Sequence, residues 1–262
     1  MNLSLQNKKA LVCGSSQGIG RACAIELATL GCSITLFARN AQTLESVLSE
    51  LDYSKGQAHQ FIVANFTSVD EVSKVINEHI DAGNCYDILI NNTGGPAPGP
   101  AHSAEKEDYV EAFQQHLLNN QTLVQALLPS MKEKQTGRIV NVISTSVKQP
   151  IVGLGVSNTI RGAVASWSKT LATELGPFGI TVNNVLPGAT ATARLDAIFE
   201  NKAKKQNKTI EQVIEEEKNA IPLRRFAQPE EFAAAVAFLC SDSAGYITGI
   251  NLPIDGGRTQ CL

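Results

Sequence analysis

The hydrophobic positions of this chain follow two alternating patterns. Short, nearly continuous apolar runs ("KALVCG", "CSITLFA", "HQFIVAN", "YDILINN", "RIVNVIS", "GITVNNVLPG") have the length and β-branched content of strands. Between them lie longer stretches with apolar residues at helical spacing. These are "IGRACAIELATLG", which stops at Gly31, "AQTLESVLSELD", "SVDEVSKVINEHIDAG", a long helix from roughly Glu105 to Lys134, and "VSNTIRGAVASWSKTLATELG" from Val156 to Gly176. Strands apolar on both faces, each followed by a helix, predict a doubly wound parallel α/β sheet with helices on both faces, in one domain over residues 1–262.

Two stretches break the alternation. "TGGPAPGPAH", Thr93 to His102, is a Gly/Pro loop after the fourth strand. Arg194 to Arg225 forms a charged helical excursion between the sixth strand and the last helix. It reads either as a solvated helix pair or, because it leaves the C-terminal end of a strand where ligands bind in such sheets, as a substrate lid at about residues 193–222.

Composition narrows the function. With 43% hydrophobic residues the chain can bury a full core, and a net charge of −3 gives no electrostatic case for nucleic acid or an anionic membrane. No apolar run approaches membrane-spanning length, and the opening "MNLSLQNKKALVCG" lacks the charged-then-apolar order of a signal peptide. The six cysteines (Cys13, Cys23, Cys32, Cys85, Cys240, Cys261) contain no C-x-x-C pair, and no metal site is expected. Small core hydrophobes in a reducing cytoplasm is the reading that follows.

The first strand-to-helix turn carries "GSSQGIG", with Gly14, Gly18 and Gly20. Glycines there let backbone approach a diphosphate, and the helix N-terminus offers free N–H groups and a partial positive charge. The order is G-x-x-x-G-x-G rather than G-x-G-x-x-G, so the turn's position at the first strand–helix junction carries the reading. Ser16, Gln17 and Ile19 lie inside it. An acid about 20 residues on would bind the ribose hydroxyl of NAD, but no Asp or Glu occurs from Gly31 to Leu44. Arg39 stands there instead. A cation without a competing carboxylate suits a 2′-phosphate and favours NADP over NAD; the alternative is a solvated arginine at a strand end.

The turn at Gly14–Gly20, "NNTGG" at Asn91–Gly95, "RIVNVIS" ending at Ser144, "NNVLPGATAT" and the C-terminal "RRFAQPEEFAAAVAFLCSDSAGYITGINLPIDGG" together resemble the short-chain dehydrogenase/reductase family, in its 3-oxoacyl-[acyl-carrier-protein] reductase-like branch. The resemblance covers nearly the whole chain. It implies a seven-stranded Rossmann-type sheet, a homo-oligomer (tetramer or dimer), and hydride transfer between NAD(P) and a carbonyl or hydroxyl of a small-molecule or acyl-thioester substrate. It also implies that Asn92 and Gly94 line the inner ribose and that Asn65, beside Phe66, faces the adenine. Pro187, Gly188 and Thr192 would meet the nicotinamide end. Asn65 and Asn92 read otherwise as strand-end turn residues that cap backbone groups.

The chain departs from the family at its chemistry. Of the family's catalytic Asn, Ser, Tyr and Lys, the serine matches Ser144. The tyrosine position falls at Ser157, the lysine position at Arg161, and the asparagine position near His116. A tyrosine beside an ammonium can protonate a carbonyl oxygen near neutral pH. Serine is a far weaker and shorter acid, and arginine does not relay protons. Loss of a positioned general acid costs about 10²–10⁴ in rate. Three readings stay open. The first is an NADP-dependent oxidoreductase in which water or His116 supplies the proton while Ser144 and Arg161 polarise the oxygen. The second is an NADP(H)-binding pseudoenzyme or scaffold subunit, and the third a non-redox enzyme acting on an anionic substrate. For single residues, His116 reads either as a general acid or as a satisfied buried histidine. Ser144 reads as a donor or a backbone cap, and Arg161 as an anion clamp or an intersubunit ion pair.

Overall fold

The computed structural model describes residues 2–261. Seven strands form one sheet: β1 (Lys9–Cys13), β2 (Ser33–Ala38), β3 (Gln60–Val63), β4 (Ile88–Asn91), β5 (Gly137–Val142), β6 (Ile180–Pro187) and β7 (Asn251–Ile254). Every neighbouring pair is parallel. The order is β3-β2-β1-β4-β5-β6-β7, so the chain winds outward from β1 and then returns to its other side. The winding reverses between β1 and β4, and in such sheets ligands bind in the crevice beyond the C-terminal strand ends there.

The helices are α1 (Gly18–Thr29), α2 (Ala41–Leu48), α3 (Val69–Asp81), α4 (Lys106–Phe113), α5 (Asn119–Glu133), α6 (Gly155–Leu175), α7 (Ala193–Gln206), α8 (Ile210–Asn219) and α9 (Pro229–Cys240). The strand period of two divides the core. Ala10 and Val12 of β1 pack with α1, α2 and α9 through Leu27, Leu44 and Phe232. Leu11 and Cys13 face the other way, onto Ile76 of α3, Leu127 of α5 and Leu175 of α6. Burying each such leucine contributes about 1.5–3 kcal/mol, which holds both helical layers to the sheet. Short polar side chains start the helices: Asn40, Ser68, Thr192 and Thr209 accept backbone N–H groups at the starts of α2, α3, α7 and α8.

The long helix expected from Glu105 to Lys134 is interrupted. A π-helical turn over Gln114–Leu118 separates α4 from α5. The apolar spacing stays helical through this segment, so the sequence pattern gives no sign of the extra residue. The four apolar-run cysteines Cys13, Cys23, Cys32 and Cys240 are buried, and all six are free thiols. The charged excursion is helical as expected, with α7 packed on α8 through Phe199 and Val213. Glu217 of α8 accepts from Lys202 of α7 at 2.5 Å and from Arg258 at 2.6 Å, tying the excursion to the C-terminal segment. Among the described residues no helix is long and apolar enough to cross a membrane.

One polar feature crosses the apolar sheet. Asn91, Asn141, Asn184 and Asn251 stand in register on β4 to β7. Their amides link in series: Asn91 Nδ2 donates to Asn141 Oδ1 (2.8 Å), Asn141 Nδ2 to Asn184 Oδ1 (3.0 Å), and Asn184 Nδ2 to Asn251 Oδ1 (2.8 Å). Asn141 also donates to Ser168 of α6 at 3.2 Å. A one-residue slip of any strand would leave buried amides unpaired, so the ladder fixes the register. Asn141→Ala strands three partners at once and is expected to lower the unfolding free energy by about 3 kcal/mol in denaturant titration, against about 1 kcal/mol for Asn251→Ala at the half-buried edge. Equal effects at the two positions would contradict this account.

Candidate active site

The turn after β1 is built on close approaches. Gly14 and Gly18 have positive φ, 58° and 54°. A Cβ on Gly14 would lie 2.5 Å from the Asn92 carbonyl oxygen, and one on Gly20 would lie 2.2 Å from the Gly14 carbonyl oxygen. Asn92 Nδ2 donates to the carbonyls of Cys13 and Gly14 at 3.3 and 3.2 Å, stapling the end of β4 to the turn. Phe37 N donates to Ser15 Oγ at 3.0 Å and Gly14 N to the Phe37 carbonyl at 2.8 Å, which anchor the turn to β2. Ser16 is half-buried, Gln17 exposed, and Ile19 packs on the core beneath.

This turn fits a dinucleotide diphosphate. Gln17 precedes α1 in extended conformation, its side chain caps nothing, and the first turn of α1 carries no acid. The helix N-terminus therefore keeps its N–H donors and partial positive charge free for an anion. Gly18 faces Thr192, whose methyl would lie 3.3 Å from an added Cβ, and Gly94 stands in open space. Arg39 leaves β2 exposed, with no acid paired to it among the described residues. Asn65 accepts from Thr67 N at 3.1 Å, leaving its amide N–H₂ free. Phe66 packs its ring 4.9 Å from that of Phe37 and accepts from Asn119 Nδ2 at 2.6 Å through its carbonyl. At the other end of the crevice Pro187 ends β6, and Gly188 N donates to the Ile254 carbonyl at 2.9 Å. Thr192 starts α7.

Beyond the ends of β4 and β5 lies a second group. Ser144 follows β5, and its Oγ accepts from Ser146 N at 3.1 Å, which leaves its O–H free to donate. Ser157 and Arg161 share a buried face of α6, 8% and 6% exposed. Arg161 Nη1 donates to the Val142 carbonyl at 3.2 Å, two residues before Ser144. His116, carried by the π turn, is buried, and its Nδ1 lies 2.6 Å from Thr93 Oγ1. Its Nε2 is buried without a partner. Arg194, in the first turn of α7, donates to the carbonyls of Gly95 and Pro96 at 3.1 and 3.3 Å, joining the excursion to the Gly/Pro loop.

Electrostatics decides what His116 can do. Burial first, then the positive charges of Arg161 and Arg194, hold its imidazolium down at a pKa of about 2. The ring is neutral across the physiological range. It can offer a hydrogen bond but carries no imidazolium proton, which weighs against the general-acid reading and for the buried-histidine one. Arg161 is lowered to about 10 by burial and by Arg194, and stays cationic.

The four phenols are engaged or exposed elsewhere. Tyr86 is buried against Thr35 and His79, and burial pushes it up to about 12. Tyr109 packs on Val156 and Ile160 with its hydroxyl donating to the Ala101 carbonyl, Tyr53 pairs edge-on with His59, and Tyr246 is fully exposed.

Sequence reasoning missed Ser15, Thr93 and Arg194 as site residues. Thr93 opens the Gly/Pro loop and Arg194 sits where a strand's C-terminal end meets the excursion; nothing local marked Ser15.

Residues 14–259 match the family described as enoyl-(acyl carrier protein) reductase. The chain is 32% identical over 260 residues to the NADPH-dependent reductase BacG of Bacillus subtilis, covering 98% of this chain and 100% of that protein. It is also 32% identical to the 3-oxoacyl-[acyl-carrier-protein] reductase FabG of Aquifex aeolicus, over 98% and 99% of the two chains. Among solved structures it resembles L-sorbose reductase of Gluconobacter frateurii complexed with NADPH and L-sorbose, with a TM-score of 0.92, 28% identity and full coverage of both chains.

The neutral histidine carries a pH signature. Between pH 6.5 and about 2 the unfolded chain binds a proton at position 116 that the folded chain refuses, so this contribution to stability is complete above pH 6.5 and declines as pH falls. At about 1.4 kcal/mol per unit, lowering the pH to about 5 removes roughly 2 kcal/mol. His59 and His79 are also lowered by burial and act in the same direction, so the comparison needs a variant. Denaturant titrations at pH 7.5 and 5 should show His116→Asn losing about 2 kcal/mol less than wild type over that interval; equal losses would contradict a suppressed imidazolium.

Proposed function

The chain belongs to the short-chain dehydrogenase/reductase family, in its 3-oxoacyl-[acyl-carrier-protein] reductase-like branch, and from that premise we propose that it is an NADP-dependent oxidoreductase acting on a carbonyl or hydroxyl group of a small molecule. One observation carries the reading: a helix N-terminus with free donors behind a glycine turn too tight for any Cβ, and an unpaired arginine where an NAD-specific acid would stand. The relatives described as NADPH-dependent or complexed with NADPH support the choice of NADP.

NADPH held there supplies the hydride that adds to the substrate carbonyl carbon. Gly14, Gly18 and Gly20, with Ser16, Gln17 and Ile19 of the same turn, would hold its diphosphate. Arg39 would meet the 2′-phosphate, Asn65 and Phe66 the adenine, Asn92 and Gly94 the inner ribose, and Pro187, Gly188 and Thr192 the nicotinamide end. Ser144 donates a hydrogen bond to the substrate oxygen, and the fixed charge of Arg161 stabilises negative charge developing there. Ser157 is too short to reach as a tyrosine would, and His116 is neutral. Water therefore delivers the proton that the oxygen takes up, and turnover is slow for the family by about 10²–10⁴. The α7–α8 excursion, tethered to the Gly/Pro loop by Arg194, acts as the lid.

The missing phenol also favours a second reading, an NADP(H)-binding subunit without turnover. Oxidation of NADPH in the presence of varied ketones and 3-oxoacyl thioesters separates the two. With Ser157→Tyr and Arg161→Lys combined, a weak activity should rise by orders of magnitude; absence of activity in both proteins supports the binding subunit. Fluorescence titration tests the cofactor directly. Arg39→Ala is expected to weaken NADPH roughly tenfold and leave NADH unchanged, and an equal change for both would remove Arg39 from the 2′-phosphate site.

A further inference from the structure

Arg161 carries a charge that the folded chain leaves unanswered. It is 6% exposed, yet of its five N–H donors one is engaged, by the Val142 carbonyl, and no carboxylate pairs with it among the described residues. Arg194 is also without a carboxylate partner; its two hydrogen bonds go to the Gly95 and Pro96 carbonyls. His116, whose charge both arginines oppose, lies near them: Thr93 Oγ1 is 2.6 Å from its Nδ1, and its Nε2 is buried without a partner. The structure therefore gathers two guanidiniums and a neutral imidazole around the ends of β4 and β5, with no acid among them. Buried charges are ordinarily paired, because an isolated one bears a heavy desolvation cost. A guanidinium adds a planar fork of donors that matches a carboxylate.

We propose that Arg161, assisted by Arg194, is a carboxylate-binding subsite and that the substrate is a short oxo acid, with its carboxylate within a carbon or two of the carbonyl beside Ser144. This rests on the oxidoreductase reading above and narrows its substrate class. The short spacing follows from the chain: Arg161 grips Val142, and Ser144 lies two residues on along the same strand end. The Arg194 tether across the Gly/Pro loop closes the same region from the lid side. A neutral thioester offers these groups nothing to pair with, and the neutral His116 adds a hydrogen-bonding nitrogen without a competing charge.

The test uses the whole protein, with and without saturating NADPH. Short 2-oxo and 3-oxo acids, their methyl esters and inorganic phosphate are added, and thermal stabilisation and NADPH oxidation are read. Acids should stabilise the protein and react with a kcat/KM roughly 10- to 100-fold above their esters. Arg161→Gln should bind NADPH normally, raise KM for the acids by a similar factor and erase the preference over esters. Arg161→Lys should recover part of it, and Arg194→Gln should lose less. Equal response to acid and ester in the wild type overturns the proposal, as does an acid preference that survives in Arg161→Gln. Stabilisation by phosphate alone overturns the carboxylate assignment. Should Arg161→Gln not fold, the wild-type comparison and Arg194→Gln decide. Failure to take up NADPH would count against the oxidoreductase reading, while stabilisation by acids measured without NADPH still decides the subsite.

Discussion

The crevice of this fold depends on how closely the turn after β1 can approach the end of β4. Gly20 lies against the Gly14 carbonyl and Gly14 against Asn92, at separations that leave no room for a methyl group. Asn92 then bonds both carbonyls at the strand end, so one side chain fixes the distance between the two strands at which the winding reverses. That closeness aims the N-terminus of α1 across the crevice. Loosening it by one Cβ would shift α1, and with it the donors that make the turn attractive to an anion.

The asparagine ladder extends the same constraint across the rest of the sheet. A parallel sheet buried on both faces draws its stability from apolar contact, which tolerates small slips of register. Amides stacked from β4 to β7 do not, since Asn141 and Asn184 each accept from one neighbour and donate to the next, with Asn91 donating at one end and Asn251 accepting at the other. The strand ends that carry Ser144 and Pro187 are thereby placed relative to Asn91 and Asn92, and the site inherits its geometry from buried polar groups rather than from loops.

What the sequence made legible follows from how local each signal is. Strand and helix periods are local, and so is the glycine turn, so six strands, the helices between them and the cofactor cradle could be read from residue spacing alone. The edge strand β7, "NLPI", is short and contains a proline, and it emerged only through resemblance. The π turn is invisible because His116 sits among residues whose apolar spacing remains helical. "NN" at residues 183–184 resembles a turn but lies within β6, where Asn184 joins the ladder and Asn183 bonds the Ile247 carbonyl. Arg194 and Thr93 could not be placed at the site because their partners lie far along the chain. The sequence left His116 open between a general acid and a buried histidine for the same reason. Its neutrality comes from burial and from two arginines distant in sequence, and no property of the residue itself announces it.

The replacements at positions 157 and 161 are best understood as one change. In the family pattern an ammonium lowers the pKa of a phenol so that the phenol can give up its proton. Once serine stands at 157 there is no acid for a cation at 161 to tune, and a group that exchanges its own proton has no task there. What remains useful is fixed positive charge and directional donors, and arginine supplies both while staying protonated despite burial. The same cation, with Arg194, then suppresses the charge of His116. A protonated imidazole would put a third positive charge beside these two, so the arginines reinforce a neutrality at 116 that burial already imposes. Arg161, Arg194 and His116 thus form one electrostatic arrangement, two fixed positive charges beside a neutral imidazole.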